Sequence, residues 1–195
     1  LNAKAQNQVY WKEGFEPGTC DLTTTSPTSI TPAPTTDITT YFNGVGGVWF
    51  GKNIYRTTGT GCQPGISHLR FRNMGTTGIF DSGVLVTPIV NYGINEFHFT
   101  RARANRKYTI WITSDTNAQT SNWNLVTTLQ SWVNPTCVDT TVNINSPFAK
   151  RLKIVTRAGL DYDIDSIWLT SYSKIYYGTL KGNVFRSEEH TSELQ

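Results

Sequence analysis

From Gly47 onward the chain is a succession of short stretches in which apolar and polar residues alternate, each ended by Gly, Asn or Pro. The stretches are 48–56 (VWFGKNIYR), 68–73 (HLRFRN), 78–86 (GIFDSGVLV), 94–104 (INEFHFTRARA), 107–115 (KYTIWITSD), 123–130 (WNLVTTLQ), 138–144 (VDTTVNI), 150–156 (KRLKIVT) and 162–172 (YDIDSIWLTSY). A period of two is that of a strand with one face buried, and turn signals every ~8 to 12 residues mark an all-β sandwich. Residues 9–16 (VYWKEGFE) predict an earlier strand, and no segment carries a convincing helical period. The expected fold is a jelly-roll β-sandwich of two antiparallel sheets spanning residues 1–172, one domain of ordinary size.

Alternation also assigns faces. Leu69 and Phe71 are expected inward, with His68, Arg70 and Arg72 outward; Tyr108, Ile110 and Ile112 inward, with Trp111 outward. Ile164 and Ile167 differ in parity, so burying both requires a bulge near Asp165 and Ser166. Trp11, Trp49 and Trp168 sit among apolar neighbours and are expected in the core, and packing is the expected role of Trp123 and Trp132. Thr19–Thr40, dominated by Thr, Ser and Pro, is too polar to supply core and is expected to be a long loop.

Thr, Asn, Gly and aromatic residues are plentiful, whereas Met occurs once. The formal charge is +3, and without the one Arg and three Glu of the last ten residues it is +5. That mild basicity suits an anionic partner such as an acidic polysaccharide, but it lacks the dense Lys/Arg clusters of nucleic-acid binders. No apolar run approaches the ~20 residues of a membrane-spanning helix. Cys20, Cys62 and Cys137 include no CxxC pair, which argues against zinc. One disulfide, Cys20 with Cys62, plus a free thiol is the expected arrangement; the alternative is three reduced cysteines.

The order of short motifs carries a resemblance. Phe15–Glu16 ends the first strand, then come GGVW (Gly46–Trp49), a Gly-x-x-x-Leu-Arg-Phe step (Gly65–Phe71), a strand pair around Asn91–Phe99 with Arg following, and a closing IDSIWL (Ile164–Leu169). Together they resemble the jelly-roll accessory modules of secreted Bacteroidota-type polysaccharide-degrading enzymes, which are related in architecture to carbohydrate-binding modules. The resemblance implies a secreted, non-catalytic module with a polysaccharide ligand and a catalytic domain elsewhere in the same chain. Ser166 departs from it, standing where such modules commonly carry a second acidic residue or Asn.

Two candidate sites follow. Asp161, Asp163 and Asp165 alternate along one strand, and three like charges on one face repel unless a cation intervenes. Calcium, an oxygen-seeking ion, suits them, with Glu16 of the first strand as a fourth acid. The alternative is a strand junction facing a basic neighbour, Lys153 or Arg157. The second site is an outward face of His68, Arg70, Arg72, His98 and Trp111, extended by Arg101 and Arg103, where a ring would stack on sugar C–H groups and guanidiniums would grip a uronate. The alternative is ordinary charge on an exposed sheet.

Catalysis has little support: outside the last ten residues the only histidines are His68 and His98, and no nucleophile elbow, HExxH or phosphate loop occurs. The expected function is therefore carbohydrate binding, with a ligand-free structural or adhesive spacer as the alternative and a small lyase or hydrolase third. Residues 173–185 read as a linker. Residues 186–195 (RSEEHTSELQ) resemble the in-frame translation of a common sequencing adapter and are expected to be no part of the fold.

Overall fold

A computed structural model describes residues 8–24, 37–58, 62, 67–71, 83–101, 106–130, 137–156 and 162–172. Twelve strands occur in these segments: β1 (Val9–Glu13), β2 (Thr39–Gly44), β3 (Gly47–Lys52), β4 (Ile54–Thr58), β5 (Ser67–Phe71), β6 (Val84–Val86), β7 (Ile94–Arg101), β8 (Lys107–Thr113), β9 (Asn124–Gln130), β10 (Val138–Ser146), β11 (Arg151–Thr156) and β12 (Tyr162–Ser171). They form two six-stranded antiparallel sheets. Sheet A has the order β10-β7-β12-β5-β4 with β1 also on β12, and sheet B the order β2-β3-β6-β11-β8-β9.

Between the sheets lies one continuous core. Sheet A contributes Ile54, Leu69, Phe71, Phe97, Phe99, Val142, Ile164, Ile167 and Leu169, and sheet B contributes Phe42, Trp49, Leu85, Tyr108, Ile110, Leu152 and Ile154. The alternation of Leu69 and Phe71, and of Tyr108 and Ile110, holds as read from the sequence. Rings meet edge to face across the interior, with Phe99 and Tyr162 inclined to Tyr108 at 62° and 83° and centroids 5.3 and 5.2 Å apart.

The ten residues of β12 pair along one edge with both β5, at Tyr162–Ile164, and β1, at Ile167–Thr170. Its register against β7 slips between Ile164 and Ser166. That slip is the bulge required by the parity of Ile164 and Ile167, both fully buried. It falls where the strand changes partner from β5 to β1.

Two elements differ from expectation. The stretch 48–56 is two strands in different sheets, because Asn53 takes a left-handed conformation (φ 54°) and turns the chain from sheet B to sheet A. Its amide donates to the Ile38 carbonyl, and its side chain receives the Ile38 N–H and donates to Asp37. The Thr/Pro segment is also less uniform than its composition. Cys20 and Leu22 enter the core, and its last residues, Thr39 and Thr40, begin β2; residues 25–36 lie outside the described ones.

At the end of β1, Glu13 is fully buried. Its carboxylate accepts the Phe15 N–H at 2.5 Å and the Val45 N–H at 2.6 Å, tying β1 to the β2–β3 turn. Burial pushes its pKa above the ordinary carboxylate value, against the opposing effect of those two donors. Trp11 and Trp49 meet at 4.8 Å beneath the same turn. Gly46, at φ 89°, has the Trp11 ring where a Cβ would stand, which explains the first glycine of GGVW.

Candidate functional site

The outward face of sheet B carries a single cross-strand row. Tyr41 pairs with Phe50, Phe50 with Val86, Val86 with Lys153, Lys153 with Trp111 and Trp111 with Leu125, so six strands each place one residue in line. Lys153 Nζ stands over two indole rings, 5.2 Å from the Trp111 centroid and 4.3 Å from that of Trp123. The negative ring faces hold the ammonium in place, and partial burial lowers its proton affinity. Ala118 and Trp123 cover Phe50 and Val86 in the middle of the row, while Tyr41 is 58% and Leu125 55% exposed.

The segment 114–123 that carries Ala118 and Trp123 is held by its own side chains. Thr113 Oγ1 accepts from the Asp115 N–H, Asp115 Oδ1 from Asn117, Asn117 Oδ1 from Gln119 and Thr120 Oγ1 from Asn122. These successive local turns are what Asn, Asp, Ser and Thr favour. Trp123 Nε1 donates to the Thr120 carbonyl at 2.7 Å, and Arg151 Nε donates to Thr116 from the sheet below at 2.7 Å. The second indole is thus fixed beside Lys153.

Sheet A presents different chemistry. Trp168 is not core: it faces outward, stacked on His98 of β7 with ring centroids 4.9 Å apart and planes within 3°. Lys12 of β1 covers the other side of the indole at 4.9 Å. Trp168 is thus engaged by both His98 and Lys12. His98 Nε2 lies 3.1 Å from Glu96 Oε2, and its Nδ1 lies 3.0 Å from Thr141. Farther along, Arg70 grips the fully buried Asp163 with Nε and Nη2 at 2.6 and 3.0 Å, and His68 Nε2 lies 3.8 Å from the same carboxylate.

The residues expected on one face are therefore distributed. Trp111 is on sheet B; His68, Arg70 and His98 are on sheet A. His68 points away from the core, as the alternation requires, but is fully buried beside Asp163 instead of solvated. Arg101 is half-buried at the end of β7, opposite Val138 and Ile164. Arg72, Arg103 and Trp132 lie outside the described residues.

Of the acidic set, Asp163 faces Arg70, Asp165 is set off by the bulge, and Glu16 accepts the Ser67 N–H at 3.3 Å. Asp161 and Arg157 lie outside the described residues, among which no three His, Cys, Asp or Glu converge as a metal set. The basic neighbour of Asp163 is Arg70; Lys153, the sequence's alternative, stands on the other sheet.

The cysteines are thiols. Cys20 is buried, its pKa pushed up to about 11 mainly by desolvation. No disulfide joins Cys20 to Cys62 in this structure.

Against solved structures, the chain is similar to the K1 cleaved adhesin domain of Lys-gingipain from Porphyromonas gingivalis W83. Identity is 15% and the TM-score 0.53, over 84% of this chain and 98% of that one. The fold is a β-sandwich of this kind. The K3 domain of the same protein follows at 14% and 0.48, covering 84% of this chain and all of that one. The CBM22-1–GH10 modules of xylanase 10B from Clostridium thermocellum, solved with xylohexaose, are 10% identical with a TM-score of 0.47, over 89% of this chain and 30% of that one. No family model and no curated protein matches the sequence.

Sequence reasoning put Trp111 on an outer face but did not anticipate that Tyr41 and Lys153 share its row. Tyr41 was hidden because its strand follows a Thr/Pro tract. Lys153 had a visible signal, a cation standing between Leu152 and Ile154, but nothing local says that two tryptophans flank it.

Proposed function

We propose that this chain is a non-catalytic carbohydrate-binding module of a secreted protein, holding an enzyme elsewhere on the same polypeptide close to its polysaccharide. The observation that carries this reading is the placement of Lys153 between Trp111 and Trp123 on the outer face of sheet B. Indole rings offer apolar surface to sugar C–H faces, and a fixed ammonium offers a charge-assisted bond to a sugar carboxylate. Among the described residues, the ion pairs engage Lys52, His68, Arg70 and His98 but not Lys153, so its charge is available to an anionic ligand. The favoured ligand class is a uronate-bearing polysaccharide. Holding the enzyme near its substrate acts through effective concentration and requires no chemistry from the module.

The adhesin domain among the similar structures supports a second reading, an adhesive or structural spacer without a glycan site. A glycan array followed by calorimetry separates the two. Binding to acidic glycans that Trp111→Ala weakens supports the module, whereas no binding to pectins, xylans or other polysaccharides leaves the spacer.

A further inference from the structure

β9 ends the strand order of sheet B and β10 that of sheet A, and the start of one meets the end of the other beside the β10–β11 turn. A cavity of about 210 Å³ opens there. Phe148 forms one wall, Ile112 and Ala149 add apolar lining, and Ser114, Asn124 and Ser146 supply polar groups. The cavity is smaller than the roughly 300–1,000 Å³ of pockets for drug-sized ligands, and suits a single sugar ring.

Phe148 is 76% exposed, more than any other large apolar residue described. A lone exposed apolar side chain is ordinary, but this one stands on a turn anchored from several sides. Ala149 is buried in the core, the Lys150 N–H donates to the Thr113 carbonyl at 2.7 Å, and the Val90 N–H donates to the Lys150 carbonyl at 2.9 Å. Lys150 Nζ donates to the Asn91 carbonyl at 3.0 Å, and Pro147 lies so close to Gly93 that a Cβ there would stand 2.7 Å from it. Among the described residues, none bonds to the side chains of Ser114, Asn124 or Ser146. Their hydroxyl and amide groups can donate and accept, as sugar hydroxyls do. Among the described residues, no Lys, Arg, Asp or Glu lines the cavity.

We propose that this cavity is a second carbohydrate site, taking one neutral sugar residue of a polysaccharide. Phe148 stacks on the C–H face of the ring, and Ser114, Asn124 and Ser146 bond its hydroxyls. A uronate is selected against, because its carboxylate would lose hydration with no cation to meet it. The site rests on the reading of this chain as a carbohydrate-binding module but shares no residue with the Lys153 face. Asn124 directly precedes Leu125, the β9 end of the outer row on sheet B, so the cavity adjoins that row at the sheet edge.

The test is a nuclear magnetic resonance titration of the isotope-labelled full chain with xylohexaose, cellohexaose and mannohexaose, and separately with hexagalacturonate. At least one neutral hexaose should give saturable shifts of the Ser114, Phe148 and Ala149 backbone amides and of the Asn124 side-chain amide, and hexagalacturonate should not. Phe148→Ala, at an exposed position, should keep the fold and weaken that binding by about tenfold, whereas Phe148→Tyr should retain it. The indole N–H signals of Trp111 and Trp123 report the outer face in the same spectra, so failure of this site and failure of that face are seen separately. The site is overturned by no saturable shift at these residues with any neutral hexaose up to about 10 mM, by shifts that Phe148→Ala leaves intact, or by equal shifts with hexagalacturonate.

Discussion

Arg70 and Asp163 face each other across the β5–β12 pairing through two parallel hydrogen bonds of 2.6 and 3.0 Å, with the Asp163 side chain fully buried and that of Arg70 14% exposed. Removing one partner of such a pair leaves an uncompensated charge in the interior. Arg70→Met should therefore destabilise the fold by about 3–5 kcal/mol, measured by urea unfolding, and Arg70→Lys should recover only part of that loss because an ammonium cannot make the bidentate contact.

The same pair bears on calcium. Since Arg70 already matches the charge of Asp163, chelation with EDTA should shift the melting temperature by less than about 2 °C, which scanning calorimetry can check. A larger fall would mean that Asp165 and Asp161 hold a cation together.

Glu13 gives a pH dependence with a definite sign. Its folded pKa is raised above the ordinary value, so between the unfolded and folded pKa the native state binds more protons and stability declines as pH rises. Glu13→Gln removes that component. The variant should lose about 1–3 kcal/mol, because one amide oxygen cannot serve both the Phe15 and Val45 N–H groups. The gap to wild type should narrow as pH rises above the ordinary carboxylate pKa; urea titrations at increasing pH would show it, and a widening gap would contradict the assignment.

Gly46 combines a left-handed backbone with the Trp11 ring at its Cβ position. Gly46→Ala should cost roughly 1–3 kcal/mol and perturb the near-ultraviolet signal of the Trp11–Trp49 pair. Gly18→Ala shares the left-handed backbone (φ 93°) but meets no neighbour, and should cost less.

On the proposed binding face, ring and charge can be separated. Trp111→Ala should weaken binding to acidic and neutral glycans alike by about tenfold, or ~1.4 kcal/mol. Lys153→Met should weaken binding to acidic glycans alone and flatten its salt dependence. Equal losses for both ligand classes in Lys153→Met would mean that the lysine orders the indoles and does not bind the ligand.

Alternation along single strands determined much of this protein. It located most of the strands, put Leu69, Phe71, Tyr108 and Ile110 inside, and required the bulge that lets Ile164 and Ile167 share the core. These properties are local: side-chain direction follows the two-residue period, and burial follows from it. What only the tertiary structure decided is which strands are neighbours. Two strands with identical patterns can lie in the same sheet or opposite ones, and that choice separated Trp111 from His98, matched Asp163 with Arg70, and set Lys153 between Trp111 and Trp123. The register of distant strands depends on the packing of the whole core, a sum over contacts far apart in the chain that no local pattern encodes.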